Sequence, residues 1–124
     1  MKVKNVRLEV QTEDEFISEI KRDMKNIAKG ESIKNRSTIS FESMKAMRSF
    51  ITDERLRILR TIKQYSPDSI YALAKILKRD TKNVSDDIHI LSNLGLIEIE
   101  ESKDGRKKTT PKVNYQKILV EIPV

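Results

Sequence analysis

The chain has 124 residues, of which 35% are charged and 37% hydrophobic, and its net charge at pH 7 is +6. Because it contains no cysteine, disulfides and thiolate metal sites are excluded, and no apolar run is long enough for a transmembrane helix. The charge favours an anionic partner such as nucleic acid, with a merely basic surface as the alternative, and the lack of an apolar segment after Met1 predicts a cytoplasmic protein without a signal peptide.

The first part of the chain, residues 1–50, predicts a strand followed by a helix. Apolar and polar residues alternate from Val6 to Val10, which is the period of a strand. Thr12 and Glu15 form a capping box that starts a helix, and this helix has an apolar residue at every third or fourth position. Its apolar stripe comprises Phe16, Ile20, Met24 and Ile27. Either the stripe or the edge of the strand is a candidate dimer surface, and the alternative is that both cover the domain's own core.

The second part, residues 51–124, predicts three helices and a hairpin. Thr52 caps the first helix, and the second runs from Ser69 to Leu77 after a Ser-Pro turn. The third begins with Thr81 as its cap and runs to Asn93, before Gly95 breaks it. Two alternating strands then flank an Asp-Gly turn, which is the strongest short-range hairpin signal, and a last strand follows. This order of helices and hairpin is that of a winged helix-turn-helix.

The third predicted helix has one face suited to reading DNA. Val84, Ile88 and Leu91 hold it to the domain, which leaves polar side chains on its other face. The first residues of such a helix reach base edges in the major groove, where asparagine pairs with adenine and lysine with guanine. The predicted contacts of the helix pair are Ser69, Arg79, Thr81, Lys82, Asn83, Ser85, Asp86 and His89. On such a reading face, Asp86 either accepts from cytosine or only orients a neighbour such as Arg79. The alternative for all of these residues is an ordinary solvated helix face.

The predicted hairpin turn, residues 102–108, is strongly basic. Its candidate DNA contacts are Lys103, Arg106, Lys107 and Lys108. A basic wing can lie along the phosphate backbone or enter the minor groove, where it reads shape more than sequence. Lysines also keep an exposed hairpin edge from aggregating, which is the structural alternative. The position of these cations on the same module as the third helix favours the DNA role.

The segment from Ser69 to Ile97 resembles the winged helix-turn-helix transcriptional regulators of prokaryotes, in the broad MarR/ArsR-like group. The resemblance is carried by Leu73-Ala74, Val84, Leu91 and the ending Leu94-Gly95-Leu96-Ile97, and Ser40-Phe41-Glu42 is similar to a segment of small regulators with an N-terminal strand and helix. It implies an α+β winged helix-turn-helix domain in residues 51–124, preceded by a strand–helix extension in residues 1–50. It also implies sequence-specific binding of double-stranded DNA, as a repressor. Because specific sites are usually read by dimers, we expect a homodimer joined through the N-terminal strand and helix.

Other classes of function fit the residues less well. The chain has one histidine, no cysteine and three isolated glycines, so it lacks a nucleophile system and a phosphate-binding glycine loop. Asp86 and Asp87 are adjacent, which directs them about 100° apart on a helix and prevents a paired-carboxylate site. We therefore expect no enzyme, no metal and no cofactor. The serious alternative is a winged helix used for protein contact, such as an antitoxin that binds a toxin.

Overall fold

The computed structural model of the chain describes residues 5–11, 13–28, 38–102 and 108–124, without the side chains of residues 13, 16, 23 and 26–28. The described elements are, in chain order, β1 (Asn5–Val10), α1 (Glu13–Ala28), β2 (Thr38–Phe41), α2 (Met44–Phe50), α3 (Asp53–Tyr65), α4 (Ile70–Leu77), α5 (Thr81–Leu94), β3 (Glu98–Glu101), β4 (Thr109–Lys112) and β5 (Lys117–Glu121). The expected α+β class is confirmed. None of the described helices is long and apolar enough to cross a membrane.

The chain divides into two compact units, and the first comprises residues 1–48 and 116–124. Its centre is a parallel sheet of three described strands in the order β2-β1-β5, in which Leu8 is paired with Ile39 on one side and with Val120 on the other. The side chains of Val6 and Leu8 are buried. The last strand therefore joins the N-terminal sheet, although the sequence analysis grouped it with residues 51–115.

The position of β1 in this sheet removes one of the two candidate dimer surfaces. Because β1 has a strand on each side, its edge is not free to pair with a second copy. On α1, the candidate stripe is open where its side chains are described, since Ile20 is 43% and Met24 65% exposed. The predicted capping box lies partly outside the described residues, because Thr12 is among those left out.

The second unit, residues 49–115, contains α3, α4, α5 and the β3–β4 hairpin. The predicted cap of α3 is confirmed, because Thr52 accepts a hydrogen bond from the Arg55 amide at 3.2 Å. Ser69, predicted as the first residue of its helix, lies one position before α4 and is its cap, accepting a hydrogen bond from the Ala72 amide at 3.0 Å. Gly95 ends α5 with a φ of 87°, in the left-handed region that glycine adopts without strain.

The cap of α5 differs from the prediction. The predicted cap is Thr81, but Thr81 is the first helical residue and the cap is Asp80. The carboxylate of Asp80 accepts a hydrogen bond from the Asn83 amide at 3.4 Å. Both residue types cap helices well, so composition could not separate them. The extended backbone of Asp80 places its side chain over the first turn of the helix.

The core of this unit is formed where the helices cross. Ile58 of α3, Leu73 of α4 and Val84, Ile88 and Leu91 of α5 have no exposed surface. The three α5 positions follow the spacing of one buried helix face, as predicted.

An antiparallel hairpin of β3 and β4 follows α5. Its register pairs Ile99 with the buried Pro111, which is tolerated because β4 has a neighbour on one side only among the described strands. The tip of this hairpin, including the predicted Asp-Gly turn, lies outside the described residues.

Candidate nucleic-acid interface

The turn between α4 and α5 sets the direction in which α5 leaves the domain. Three residues, Lys78, Arg79 and Asp80, connect the two helices. Lys78 takes a left-handed backbone conformation with a φ of 55°, and the amide of Arg79 donates to the Ala74 carbonyl at 3.1 Å. The amide of Lys78 also donates to the Lys75 carbonyl at 3.2 Å. Both hydrogen bonds satisfy carbonyls at the end of α4. The turn is thus a defined structure, followed at once by the Asp80 cap of α5.

The two faces of α5 differ sharply in environment. Its inward face is fully buried through Val84, Ile88 and Leu91. The exposed residues of its first half and middle are Thr81, Lys82, Asn83, Asp86 and His89, and Ser85 is half-buried. Among the described residues, the side chains of this outer face make no hydrogen bond or ion pair. Donors and acceptors on this face are therefore without a partner in the described part of the chain.

Arg79 occupies a different position from the rest of the predicted set. Its Nη1 lies 3.0 Å from Asp87 Oδ2 and 3.5 Å from Glu54 Oε2. Asp87 also accepts from Arg55, whose Nε lies 3.2 Å from Oδ1. The Asp87 side chain is only 16% exposed. Arg79 therefore pairs with Asp87 and Glu54, and not with Asp86 as one of the two predicted roles of Asp86 required.

The same cluster extends to the residues before α3. Arg55 Nη1 donates to the Ser49 carbonyl at 3.0 Å and to the Phe50 carbonyl at 2.8 Å. A single carboxylate, that of Asp87, thus connects α5 to the start of α3 through Arg55 and to the α4–α5 turn through Arg79. Because the cluster is partly shielded from water, its ion pairs are stronger than exposed ones. It holds the first half of α5 against α3.

Asp87 is a functional residue that was not among the predicted ones, although the sequence contains a signal for it. Positions 84, 87, 88 and 91 form one helical stripe, since side chains three and four residues apart share a face. Asp87 is the charged member of a stripe that is otherwise apolar. A charge in such a stripe is rarely buried unless it is paired, and the two partners here come from Arg55 and Arg79.

The base of the hairpin is attached to the residue before the α4 cap. Lys108 Nζ lies 3.1 Å from Asp68 Oδ2, and the Thr110 hydroxyl donates to the Asp68 carbonyl at 2.7 Å. The hydrogen bond and the charge of Lys108 lower the pKa of Asp68 below its ordinary value of 3.8. Ser69, predicted as a DNA contact, uses its hydroxyl as the α4 cap.

Three of the four predicted cations of the hairpin turn, Lys103, Arg106 and Lys107, lie outside the described residues. Lys108 is described and exposed. Beyond it, Lys112 of β4 pairs with Glu100 of β3 at 3.1 Å, across the strands. Since β3 itself carries Glu98, Glu100 and Glu101, the described strands of the hairpin carry both acidic and basic side chains.

Neither a metal centre nor a deep ligand cavity is evident in the described part of the chain. No group of three His, Asp or Glu side chains there could hold a metal ion. A shallow depression of about 270 Å³ lies between the end of α3 and β4, and its walls include Ile62, Pro67, Pro111 and Val113. Its lining also includes the polar residues Lys63, Ser66, Thr110, Lys112 and Asn114.

Comparison with known proteins finds one family. The sequence model of the HVO_A0114 family matches residues 50–120, which is more than half of the chain. The matched stretch covers α3, α4, α5, the hairpin and most of β5. No curated protein and no solved structure matches the chain.

Proposed function

The chain belongs to the HVO_A0114 family, and we propose that it is a sequence-specific double-stranded DNA-binding regulator of transcription, with a winged helix-turn-helix in residues 51–115. The observation that carries the proposal is the contrast between the two faces of α5. One face has no exposed surface at Val84, Ile88 and Leu91, whereas the other presents polar and basic side chains without intramolecular partners in the described residues. The buried face therefore holds α5 to the domain, and the polar face is accessible to a partner.

The chemistry of the open face fits the edges of base pairs. Lys82 and Asn83 lie in the first turn of α5, which is the part that enters the major groove in helix-turn-helix proteins. Lysine donates to guanine O6 and N7, and asparagine forms a bidentate pair with adenine. Asp86 and His89 continue the face by one further turn, and a carboxylate there accepts from the N4 amine of cytosine. An acidic residue on this face therefore favours sequence reading over uniform phosphate binding.

The hairpin supplies the second proposed contact. Lys108 lies at its base, next to the start of α4, and Lys103, Arg106 and Lys107 lie between β3 and β4 in the sequence. As the wing, this segment would follow the phosphate backbone or the minor groove beside the groove that α5 occupies. Arg79 acts in the proposal as a brace for α5 through Asp87, and Ser69 as the cap of α4.

Repression is the simplest regulatory outcome of such binding. It requires only that the chain occupies DNA that the polymerase needs, whereas activation requires a further contact with the polymerase. Because Asp87 and its two arginines hold α5 in one orientation, the reading face is preorganised before DNA arrives. Preorganisation of this kind lowers the entropic cost of binding.

The deciding experiment is selection of bound duplexes from a random pool, followed by affinity measurement over a range of salt concentrations. We expect enrichment of a defined sequence and an affinity that falls steeply as salt rises, because phosphate contacts release counterions. Lys107→Ala combined with Lys108→Ala should weaken binding to every duplex and reduce the salt slope by about two units, one for each lysine. The matched control is Arg60→Ala on α3, an exposed cation outside the proposed interface, which should leave the slope unchanged.

Failure of the selection would favour the alternative function. If no duplex is enriched even at low salt, the open face of α5 does not read DNA, and contact with a protein partner, as in an antitoxin, becomes the better interpretation. If duplexes bind but the wing double variant keeps full affinity, α5 binds without a wing contact.

A further inference from the structure

Among the described strands, the N-terminal sheet has an open edge at β5. In the described sheet order β2-β1-β5, β5 pairs with β1 on one side and has no strand on the other. An edge strand presents unpaired backbone N–H and C=O groups that can hydrogen-bond with another strand. This edge is also apolar, because Leu119 is 36% and Val120 51% exposed.

The sequence of β5 is complementary to itself when read in the opposite direction. It runs Lys117-Ile-Leu-Val-Glu121, with a cation at one end and an anion at the other. When two copies lie antiparallel with Leu119 opposite Leu119, Lys117 of each copy stands opposite Glu121 of the other, and Ile118 stands opposite Val120. Glu121 Oε1 also lies 3.3 Å from Arg7 Nη1 of its own chain, which leaves its second carboxylate oxygen for Lys117 of the other copy. Oppositely charged and apolar cross-strand pairs are the ones that stabilise antiparallel strands.

The two neighbouring antiparallel registers of β5, centred on Ile118 and on Val120, give less favourable cross-strand pairs. In a symmetric antiparallel pair the two-fold axis is perpendicular to the sheet and keeps each side chain on its own face. Because directly opposite side chains lie on the same face, the axis must lie midway between the two copies of one residue. Centred on Ile118, the pairing sets Lys117 against an apolar Leu119. Centred on Val120, it sets Glu121 against Leu119 and brings Pro123, which has no N–H to donate, into the ladder. The charges therefore select the register centred on Leu119.

We propose that two copies of the chain join edge to edge through β5, antiparallel and with Leu119 on the two-fold axis. The two sheets become one continuous sheet, and the same patch of each copy serves both sides of the interface, as in most homodimers. The inference does not require DNA binding. It would nevertheless give the proposed regulator two reading helices, which is how proteins of this kind read two half-sites.

Disulfide trapping tests the register directly, because the chain has no cysteine of its own. Leu119→Cys places two thiols on opposite positions of an antiparallel pair, where Cα atoms are about 4.5–5.5 Å apart and a disulfide can form. Val120→Cys is the matched control, because its two copies are diagonal neighbours about 7–8 Å apart. With a mild oxidant such as diamide, we expect rapid dimeric cross-linking at position 119 and little at position 120.

The control is demanding because Val120 is the more exposed of the two side chains. Random collision would cross-link the Val120→Cys chain at least as fast as the Leu119→Cys chain. Equal rates at the two positions, or a faster rate at position 120, would overturn the proposed register. A wild-type chain that sediments as a monomer at every concentration would overturn the dimer itself, whatever its behaviour with DNA.

Charge reversal provides a second test that needs no cross-link. Lys117→Glu sets like charges opposite each other twice in the dimer and should raise the dimer dissociation constant about tenfold. Mixing the Lys117→Glu chain with a Glu121→Lys chain should restore association as a heterodimer, since every cross-strand pair is then opposite in charge. Lys45→Glu, an exposed charge reversal on α2, is the control and should leave the dissociation constant unchanged. Absence of recovery in the mixture would contradict the pairing.

Discussion

The Asp87 carboxylate accepts a hydrogen bond from Arg79 at 3.0 Å, which joins the second turn of α5 to the turn that precedes it. Asp87 and Arg79 therefore stabilise the position of α5, the helix on which the proposed base contacts lie. Asp87 faces the domain while its neighbour Asp86 faces solvent, because adjacent helix positions differ by about 100° in direction. Two adjacent acids of one helix therefore have different roles.

Replacing Asp87 by Asn should destabilise the protein substantially. The substitution leaves the guanidinium groups of Arg55 and Arg79 partly buried without a counter-charge, and loss of one partner of a shielded ion pair costs more than the pair contributes. We expect a loss of about 1–3 kcal/mol in the free energy of unfolding. Urea denaturation followed by circular dichroism measures it.

Asp86→Asn is the matched control for that experiment. It removes the same charge from the adjacent position, but Asp86 is exposed and without an intramolecular partner in the described residues. Its free energy of unfolding should change by less than about 0.5 kcal/mol. Equal losses in the two variants would show that the Asp87 cluster does not brace α5.

The contribution of local sequence to this fold is visible in the helix caps and in the buried face of α5. Thr52, Ser69 and Gly95 act where residue type alone determines the outcome, because their hydrogen bonds and backbone angles involve only neighbouring residues. The pairing of β5 with β1 could not be predicted in this way, since it joins residues more than a hundred positions apart and depends on the whole chain.

The candidate site likewise combines features that depend on neighbouring residues with contacts between residues far apart in the sequence. The exposed face of α5 follows from its helical period, whereas the partners of Arg79 come from α3 and α5 and appear only once these elements are packed together. The choice between Asp80 and Thr81 as the cap of α5 was likewise not set by residue type, since both residues can serve. It depends on the backbone conformation at the end of the α4–α5 turn.

The link between the hairpin and the start of α4 should be visible in the titration of Asp68. Because Lys108 lowers the pKa of that carboxyl, the ion pair contributes stability above the ordinary pKa, and this contribution is lost as the pH falls through the lowered value. Lys108→Met should raise the pKa of Asp68 toward 3.8. Carboxyl-carbon NMR titration measures the change.

Lys112→Met is the control for the Asp68 titration. It removes a cation from the same strand, but that cation pairs with Glu100. The pKa of Asp68 should stay lowered in this variant. If both variants shift Asp68 equally, the general charge of the hairpin is responsible and not the 3.1 Å contact with Lys108.

Tyr115 should give the protein a distinctive alkaline behaviour. Its hydroxyl donates to the Leu96 carbonyl at 2.8 Å, and burial raises its pKa above the ordinary value of 10.0. A raised pKa means that the contribution to stability is complete below pH 10 and is lost as the pH rises toward the folded-state value. Tyr115→Phe should cost about 1 kcal/mol at neutral pH.

The difference between wild type and Tyr115→Phe should shrink above about pH 10, because only the wild-type chain has a phenol that ionises more easily when unfolded. Urea midpoints measured for both chains from neutral to alkaline pH test this. A gap between the two chains that stays constant over that range would contradict the buried, hydrogen-bonded phenol.

The separation of base reading from phosphate binding can be tested within one turn of α5. Asn83→Ala should reduce the preference for the selected sequence by about 1–3 kcal/mol while binding to unrelated duplexes changes little. The α5 cap should survive, because Asp80 bonds the backbone amide of Asn83 and not its side chain.

Lys82→Ala should show which of two contacts Lys82 makes: contact with guanine lowers sequence preference, whereas contact with phosphate weakens all duplexes and reduces the salt slope by about one unit. Competition binding against random DNA at several salt concentrations measures both effects. Uniform weakening by Asn83→Ala would exclude base reading by that residue, because a lost base contact changes affinity only for the sequence that it reads.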